Sequence, residues 1–131
     1  MIVDLTKYTP SVYVELTPEI YVFPALTSEG KTYLCSVLHS LRTIERVDSH
    51  TYIDDFRPAE LFDRSKRDLV MLDRYDLYFG QGMEEMRNFA NAGGIVLLDC
   101  KSSLRNRKFA PCELKFNEGE LVVYDPISNK G

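Results

Sequence analysis

The sequence lacks the features that mark membrane-spanning and secreted proteins. Its longest apolar runs, residues 69–72 and 95–98, are far shorter than the roughly 20 residues that a membrane-spanning helix needs. No basic stretch followed by an apolar core stands behind Met1, so we expect no secretory signal. The three cysteines form no C-x-x-C pair, and an odd number cannot pair fully within the chain, which indicates reduced thiols. These absences predict a cytoplasmic protein with no membrane partner.

Several catalytic and metal-binding patterns are missing as well. His39 and His50 have no metal-ligand spacing with the cysteines, so both are expected to be ordinary surface residues. No motif supports Ser-His-Asp chemistry, and no histidine is paired by sequence with a cysteine nucleophile. A net charge of -4 also argues against a dedicated nucleic-acid coat protein.

The sequence has the pattern of one α/β domain. Its 131 residues, of which 44% are hydrophobic and 27% charged, fit a single domain that covers residues 1–131. Strand-like runs alternate with stretches of helical periodicity, which predicts a layered α/β fold. The predicted strands are residues 12–16, 20–23, 51–53, 69–72 and 95–98, the first two as a hairpin or short meander, with a further hairpin of residues 112–116 and 120–124. The predicted helices are residues 31–46, residues 58–66 and a third around residues 83–90 that ends before Gly93.

Residues 25–32, Ala-Leu-Thr-Ser-Glu-Gly-Lys-Thr, follow a strand-like run and open an amphipathic helix. In that context backbone N–H groups and the positive end of the helix dipole would surround a phosphate group. Gly30 would let the backbone approach closely, and the Lys31 ammonium would reach the β- and γ-phosphate oxygens. The alternative is a plain strand-to-helix turn, with Lys31 and Thr32 as exposed first-turn residues. In both interpretations we expect Lys31 to be exposed to solvent.

This segment resembles the Walker A motif of P-loop NTPases, with Ala25 in place of the usual first glycine. Residues 69–73, Leu-Val-Met-Leu-Asp, resemble the Walker B motif, in which a buried strand carries a carboxylate to its C-terminal edge. The resemblance is to the RecA-like, or ASCE, type of ATPase domain. It implies a three-layer α/β/α sandwich whose mostly parallel central sheet is edged by antiparallel hairpins. It also implies the strand order 5-1-4-3-2.

The resemblance implies a role for each residue of the site. The catalytic candidates are Lys31, Asp73 and Asp76, where Asp76 stands in for the glutamate that the family usually carries near its Walker B aspartate to orient water. Thr32 and Asp73 would hold Mg²⁺. The implied nucleotide-binding residues are Ala25, Leu26, Thr27, Ser28, Glu29, Gly30, Lys31, Thr32 and Tyr33.

Asp99 follows the strand of residues 95–98, which in the resembled fold lies between the Walker A and Walker B strands. That position carries a residue that senses the γ-phosphate. An acidic side chain there would repel phosphate unless it contacted the metal or paired with Lys31 or Lys101. Two interpretations therefore stay open for Asp99, a γ-phosphate sensor and a structural salt bridge.

The function that the resemblance implies is a small ATP- or NTP-binding protein, acting as a weak or partner-dependent NTPase with ATP and Mg²⁺ as cofactors. The alternative is a degenerate P-loop domain that serves as a non-catalytic interaction or regulatory module. The intact Gly30-Lys31-Thr32 favours the first, whereas Ala25 and the missing glutamate favour the second. No N-K-x-D motif is present, so the choice between ATP and GTP stays open.

The partners follow from the placement of the arginines. Arg74 directly follows Asp73 on a strand where side chains alternate between faces, and no arginine is evidently placed to reach the chain's own γ-phosphate. We therefore expect a second copy or a protein partner to supply one, with Arg105 or Arg107 as the candidates. The basic segment that contains them, residues 101–108, also leaves a link to nucleic acid as a third alternative.

Overall fold

Five parallel strands form the larger of two sheets in this computed structural model, which describes residues 1–24, 30–52, 54–100 and 109–127. The elements are β1 (Ile2–Leu5), β2 (Ser11–Glu15), β3 (Ile20–Val22), α1 (Lys31–Ser40), β4 (Val47–His50), α2 (Pro58–Leu61), β5 (Leu69–Leu72), a 3₁₀ helix (Tyr75–Leu77), α3 (Met83–Asn91), β6 (Ile95–Leu98), β7 (Ala110–Pro111), β8 (Glu113–Asn117) and β9 (Glu120–Tyr124).

The larger sheet has the strand order β4-β5-β6-β3-β7. Counted from β3 as the first strand and read from the other edge, this is the order 5-1-4-3-2 that the P-loop resemblance implies. β6 lies between β3 and β5, and Leu98 is in register with Val22 on one side and with Leu72 on the other. The residues that follow these three strands therefore meet at one edge of the sheet.

The hairpins form a sheet of their own, with the order β1-β2-β9-β8. The prediction that antiparallel hairpins edge the central sheet is therefore wrong, and so is the predicted hairpin of β2 with β3. The physical reason lies in β2, whose Val12 and Val14 are fully buried on one face while the alternating residues Ser11, Tyr13 and Glu15 are partly or fully exposed. Such a strand fits a sheet with only one buried face, where it pairs with β1 and β9. The fold class is α/β, as predicted.

Two apolar clusters divide the core, and side-chain alternation along β5 assigns them to opposite faces of the larger sheet. Leu69 and Met71 belong to the cluster that contains α1 and the smaller sheet. Val70 and Leu72 belong to the cluster that contains residues of α2 and α3. A strand covered on both faces is continuously apolar, which is why the sequence predicts β5 and β6 correctly. Within the described ranges, no helix combines the length and the apolar character needed to cross a membrane.

Several predicted boundaries are wrong, because polar contacts override the apolar pattern. α1 ends at Ser40 rather than near residue 46, and the next strand is Val47–His50 rather than residues 51–53. Buried polar residues in β4, Asp48 and Ser49, hide its strand character in the sequence. α2 stops at Leu61, ahead of a turn in which the Asp63 carboxylate accepts bonds from the Ser65 N–H and hydroxyl.

We predict that Gly94→Ala destabilises the domain by about 1–3 kcal/mol, the usual cost of overpacking a filled core. A Cβ at position 94 would overlap the ring of Phe89, a core residue that is 1% exposed. Urea unfolding measures the loss. In a Phe89→Leu background the same substitution should cost less, because the smaller side chain leaves room. Equal costs in the two backgrounds would show that the Phe89 ring is not the obstacle.

Candidate functional site

The N-terminus of α1 presents its first backbone N–H groups without a side-chain cap from any described residue. Gly30 stands at the cap position with φ 106°, a left-handed conformation that favours glycine, and its carbonyl accepts the Leu34 N–H. The first turn contains no acidic residue. The helix dipole therefore makes this end favourable for an anion. The predicted phosphate-loop residues 25–29 lie outside the described residues.

Lys31, the first residue of α1, forms an ion pair with Asp99 at the tip of β6. Its Nζ lies 3.0 Å from Asp99 Oδ1, and the two side chains are 12% and 3% exposed. The prediction that Lys31 is exposed to solvent is therefore wrong. A lysine in the first turn opposes the helix dipole by roughly 0.3–1 kcal/mol, and the buried carboxylate offsets that cost. Of the two interpretations of Asp99, the structure contains the salt bridge with Lys31.

A second buried carboxylate, Asp73, follows β5 at the same edge of the sheet. Asp73 and Asp99 each come one residue after the registered pair Leu72 and Leu98, and they are 4% and 2% exposed. Strand alternation places both on the face that packs against α1, because Met71 and Leu97 belong to the α1 cluster. The structure thus brings together three predicted site residues, Lys31, Asp73 and Asp99.

Asp76 lies in the 3₁₀ helix, where it binds Arg74. The Arg74 Nε and Nη2 groups donate to Asp76 Oδ1 and Oδ2 at 3.3 and 3.1 Å. This hydrogen-bonded contact, followed by the charges of Asp76, Asp73 and Asp99, raises the pKa of Arg74. The predicted water-orienting carboxylate is therefore engaged by a neighbouring cation. No sequence pattern indicates this pairing, because it depends on the left-handed backbone turn at Arg74.

An exposed aromatic pair lies beside the start of α1. Tyr33 and Phe116 are 44% and 43% exposed, and their rings meet edge to face with centroids 5.8 Å apart. Gly30 packs against the same part of β8, since a Cβ there would lie 3.4 Å from Leu114 and from Phe116. Exposed aromatic rings of this kind offer surfaces on which a nucleobase can stack. The sequence pattern places Phe116 in the C-terminal hairpin and does not mark it as a candidate site residue.

The surroundings of the described cysteines and of His50 indicate structural roles rather than catalytic ones. Cys35, Cys100 and Cys112 are free thiols and all are buried. Burial raises the pKa of Cys100 to about 11 and also raises the pKa of Cys35 and Cys112, which makes thiolate chemistry unfavourable. The prediction that His50 is a surface residue is wrong: burial lowers its pKa, and its Nδ1 lies 2.8 Å from the Tyr78 hydroxyl oxygen.

Among the described residues, no group of three or more His, Cys, Asp and Glu side chains is placed to hold a metal ion. The predicted Mg²⁺ ligands, the Thr32 hydroxyl and the Asp73 carboxylate, are hard oxygen donors of the kind that Mg²⁺ prefers. Mg²⁺ keeps several waters and takes further oxygens from a bound phosphate, so two protein ligands fit it.

Comparison of the chain with protein-family models, with curated proteins and with solved structures finds no match.

We predict that Asp99→Asn lowers the free energy of unfolding by about 3–5 kcal/mol, the usual cost of removing one partner of a buried ion pair. Lys31 would be left charged at a position where its side chain is only 12% exposed. The double variant Lys31→Met, Asp99→Asn removes both charges and should recover most of the loss. Urea unfolding checks both variants.

The matched control is Glu60→Gln, which breaks the ion pair with Arg57 in which the side chains are 71% and 70% exposed. Solvent screening makes such a pair contribute little, so no measurable change is expected. If Asp99→Asn behaves like this control, the Lys31–Asp99 pair carries no more stability than a surface pair does.

Proposed function

We propose that this chain is a small P-loop protein that binds ATP, or another nucleoside triphosphate, together with Mg²⁺. The observation that carries the proposal is the ion pair of the Lys31 ammonium with Asp99, at the sheet edge to which parallel register also brings Asp73. The uncapped start of α1 adds backbone donors for phosphate. The strand order supports the resemblance, because it sets β6 between the strands of the two motifs.

The proposal includes the three-layer α/β/α sandwich of P-loop NTPases. Support comes from the core, where α1 belongs to the apolar cluster on one face of the larger sheet and α3 to the cluster on the other. The smaller sheet shares the face of α1, and Gly30 packs against β8. In this proposal the smaller sheet forms a side wall of the nucleotide site, with Tyr33 and Phe116 beside the base.

Thr32 and Asp73 are the residues that would hold Mg²⁺. When bound, the ion would neutralise charge on the β- and γ-phosphates. Asp73 lies at the sheet edge and Thr32 is an exposed residue in the first turn of α1, so each can offer an oxygen to an ion carried by the nucleotide. Lys31 would bind the phosphate oxygens as a point charge.

Binding is better supported than turnover. The residue after Asp73 is Arg74 rather than a glutamate, and Asp76 is engaged by that arginine. We propose a weak or partner-dependent NTPase in the cytoplasm, where nucleotides are supplied. The partner would be a second copy or another protein that contributes an arginine, with Arg105 and Arg107 outside the described residues. The engagement of Asp76 is also the observation that favours the second candidate, a non-catalytic interaction or regulatory module.

We predict that Lys31→Met weakens binding of a non-hydrolysable ATP analogue by about 10- to 150-fold, which corresponds to the roughly 1.5–3 kcal/mol of a hydrogen bond to a charged group. Titration calorimetry with Mg²⁺ measures the affinity. The double variant Lys31→Met, Asp99→Asn should bind as weakly although it is more stable, which separates binding from folding. Lys66→Met removes a charge from a lysine that is 65% exposed and should not change the affinity. Unchanged binding by Lys31→Met would leave the segment as a plain turn.

We predict that Asp73→Asn weakens binding of the analogue more in the presence of Mg²⁺ than in EDTA, because the lost charge acts through the ion. The ratio of the two dissociation constants, from the same calorimetric titrations, is the readout. Asp63→Asn, at a carboxylate in the turn after α2, is the control and should leave that ratio unchanged. An equal loss in both conditions would place Asp73 outside the metal site.

A further inference from the structure

Arg74 lies at the rim of the candidate site, two residues beyond the end of β5, the strand that β6 separates from β3. Its backbone has φ 55°, so the chain turns directly after Asp73 instead of continuing the strand. The next N–H, that of Tyr75, donates to the Asp99 carbonyl at 2.7 Å. A left-handed conformation at a residue other than glycine costs about 1–2 kcal/mol, so the rest of the structure holds it in place. The turn carries residues 74–76 over the tip of β6.

The guanidinium of Arg74 is hydrogen-bonded to Asp76 but stays partly exposed to solvent. Two of its nitrogens donate to the two oxygens of Asp76, whose side chain is 12% exposed, whereas the Arg74 side chain is 33% exposed. A guanidinium has five N–H donors in a fixed plane. A fork held on one side by a carboxylate can offer donors on another side to a second anion.

Arg74 is adjacent to Asp73 in the chain, and the N–H of the next residue, Tyr75, bonds the Asp99 carbonyl, so the turn that carries Arg74 lies at the tip of β6. Asp99 in turn binds Lys31 at 3.0 Å. The described part of the site therefore contains two cations near the tip of β6, each paired with an aspartate.

We propose that Arg74 binds the γ-phosphate as an arginine of the chain itself, in addition to the arginine that a partner would contribute for turnover, and that Asp76 is the positioning residue that holds its guanidinium. The inference rests on the proposed function. Lys31, the first residue of α1, reaches the tip of β6 through its ion pair with Asp99, and the Walker A resemblance assigns the β-phosphate to this lysine and the N-terminus of its helix. Arg74 lies on the Asp73 side, where the metal-bound end of the triphosphate would lie. A guanidinium recognises the planar arrangement of two phosphate oxygens better than an ammonium does.

The test compares the affinities for Mg²⁺-ADP and for a Mg²⁺-loaded, non-hydrolysable ATP analogue. Arg74→Asn is the main variant, because asparagine tolerates the left-handed backbone and keeps the turn. It should weaken binding of the ATP analogue by about tenfold or more, the effect of losing one charge-assisted hydrogen bond, while ADP binding stays within about twofold. Asp76→Asn should reduce the preference for ATP over ADP in the same direction but less. Arg74→Lys, which keeps the charge without the fork, should restore it only in part.

Arg42→Ala is the matched control: it removes an exposed arginine beyond the C-terminus of α1, which hydrogen-bonds the His39 carbonyl. The preference for ATP over ADP is measured on one folded sample, so a partly unfolded variant does not imitate the effect. Equal losses for ADP and ATP, or none, would overturn the role of Arg74 and leave nucleotide binding intact. If the wild-type protein binds neither nucleotide, the proposed function fails and this inference fails with it.

Discussion

The ion pair between Lys31 and Asp99 joins the first turn of α1 to the tip of the central strand β6, and the geometry of the site depends on it. Removing two charges from water is costly, and a well-packed apolar pair is often as stable or more stable at such a position. Stability alone therefore does not account for a largely enclosed lysine at the N-terminus of a helix, where the dipole already disfavours it. Under the proposed function, an anion that replaces Asp99 as the partner of Lys31 would account for it.

The parallel sheet and its strand order determine where the two strand-tip carboxylates of the site lie. β5 and β6 are buried along their whole length, so polar chemistry is confined to the residues that follow them. Asp73 and Asp99 are the first of these, and parallel register brings them to the same edge and the same face. The turn at Arg74 lies at the same edge, since the Tyr75 N–H that follows it bonds the Asp99 carbonyl before the chain continues to α3 on the other face of the sheet.

The sequence predicts an element correctly where its residues form a clear apolar pattern. β5, β6, α3 and the C-terminal hairpin have clear patterns, and the structure contains them. β4 was missed because two of its buried residues are polar and find partners elsewhere in the chain: the Asp48 carboxylate approaches the Arg67 guanidinium, and the Ser49 hydroxyl donates to the Cys35 backbone carbonyl. The separate sheet was missed because strand pairing depends on long-range packing that local alternation does not encode.

The residues of the candidate site also divide into those that the sequence pattern predicts and those that it does not. Motif spacing selected Lys31 and Asp73, and the strand-tip position selected Asp99, since these residues follow directly from the order of strand, loop and helix. The contact between Arg74 and Asp76 arises from a left-handed backbone turn, for which an arginine gives no local signal. This contact changes the chemical interpretation of Asp76 from a carboxylate that orients water to one that holds a cation.

The pairing of both site cations with aspartates has a consequence for nucleotide affinity under the proposed function. A phosphate that binds Lys31 has to displace Asp99 or share the lysine with it, so part of the binding free energy is used to separate an existing ion pair. The displaced carboxylate would then face the phosphate charge at close range, which is unfavourable unless a cation lies between them. Mg²⁺ carried by the nucleotide would supply that cation. Under the proposed function the site would therefore admit a metal-bound polyphosphate more readily than a bare one, and this selectivity would originate in the same ion pair that joins α1 to the sheet.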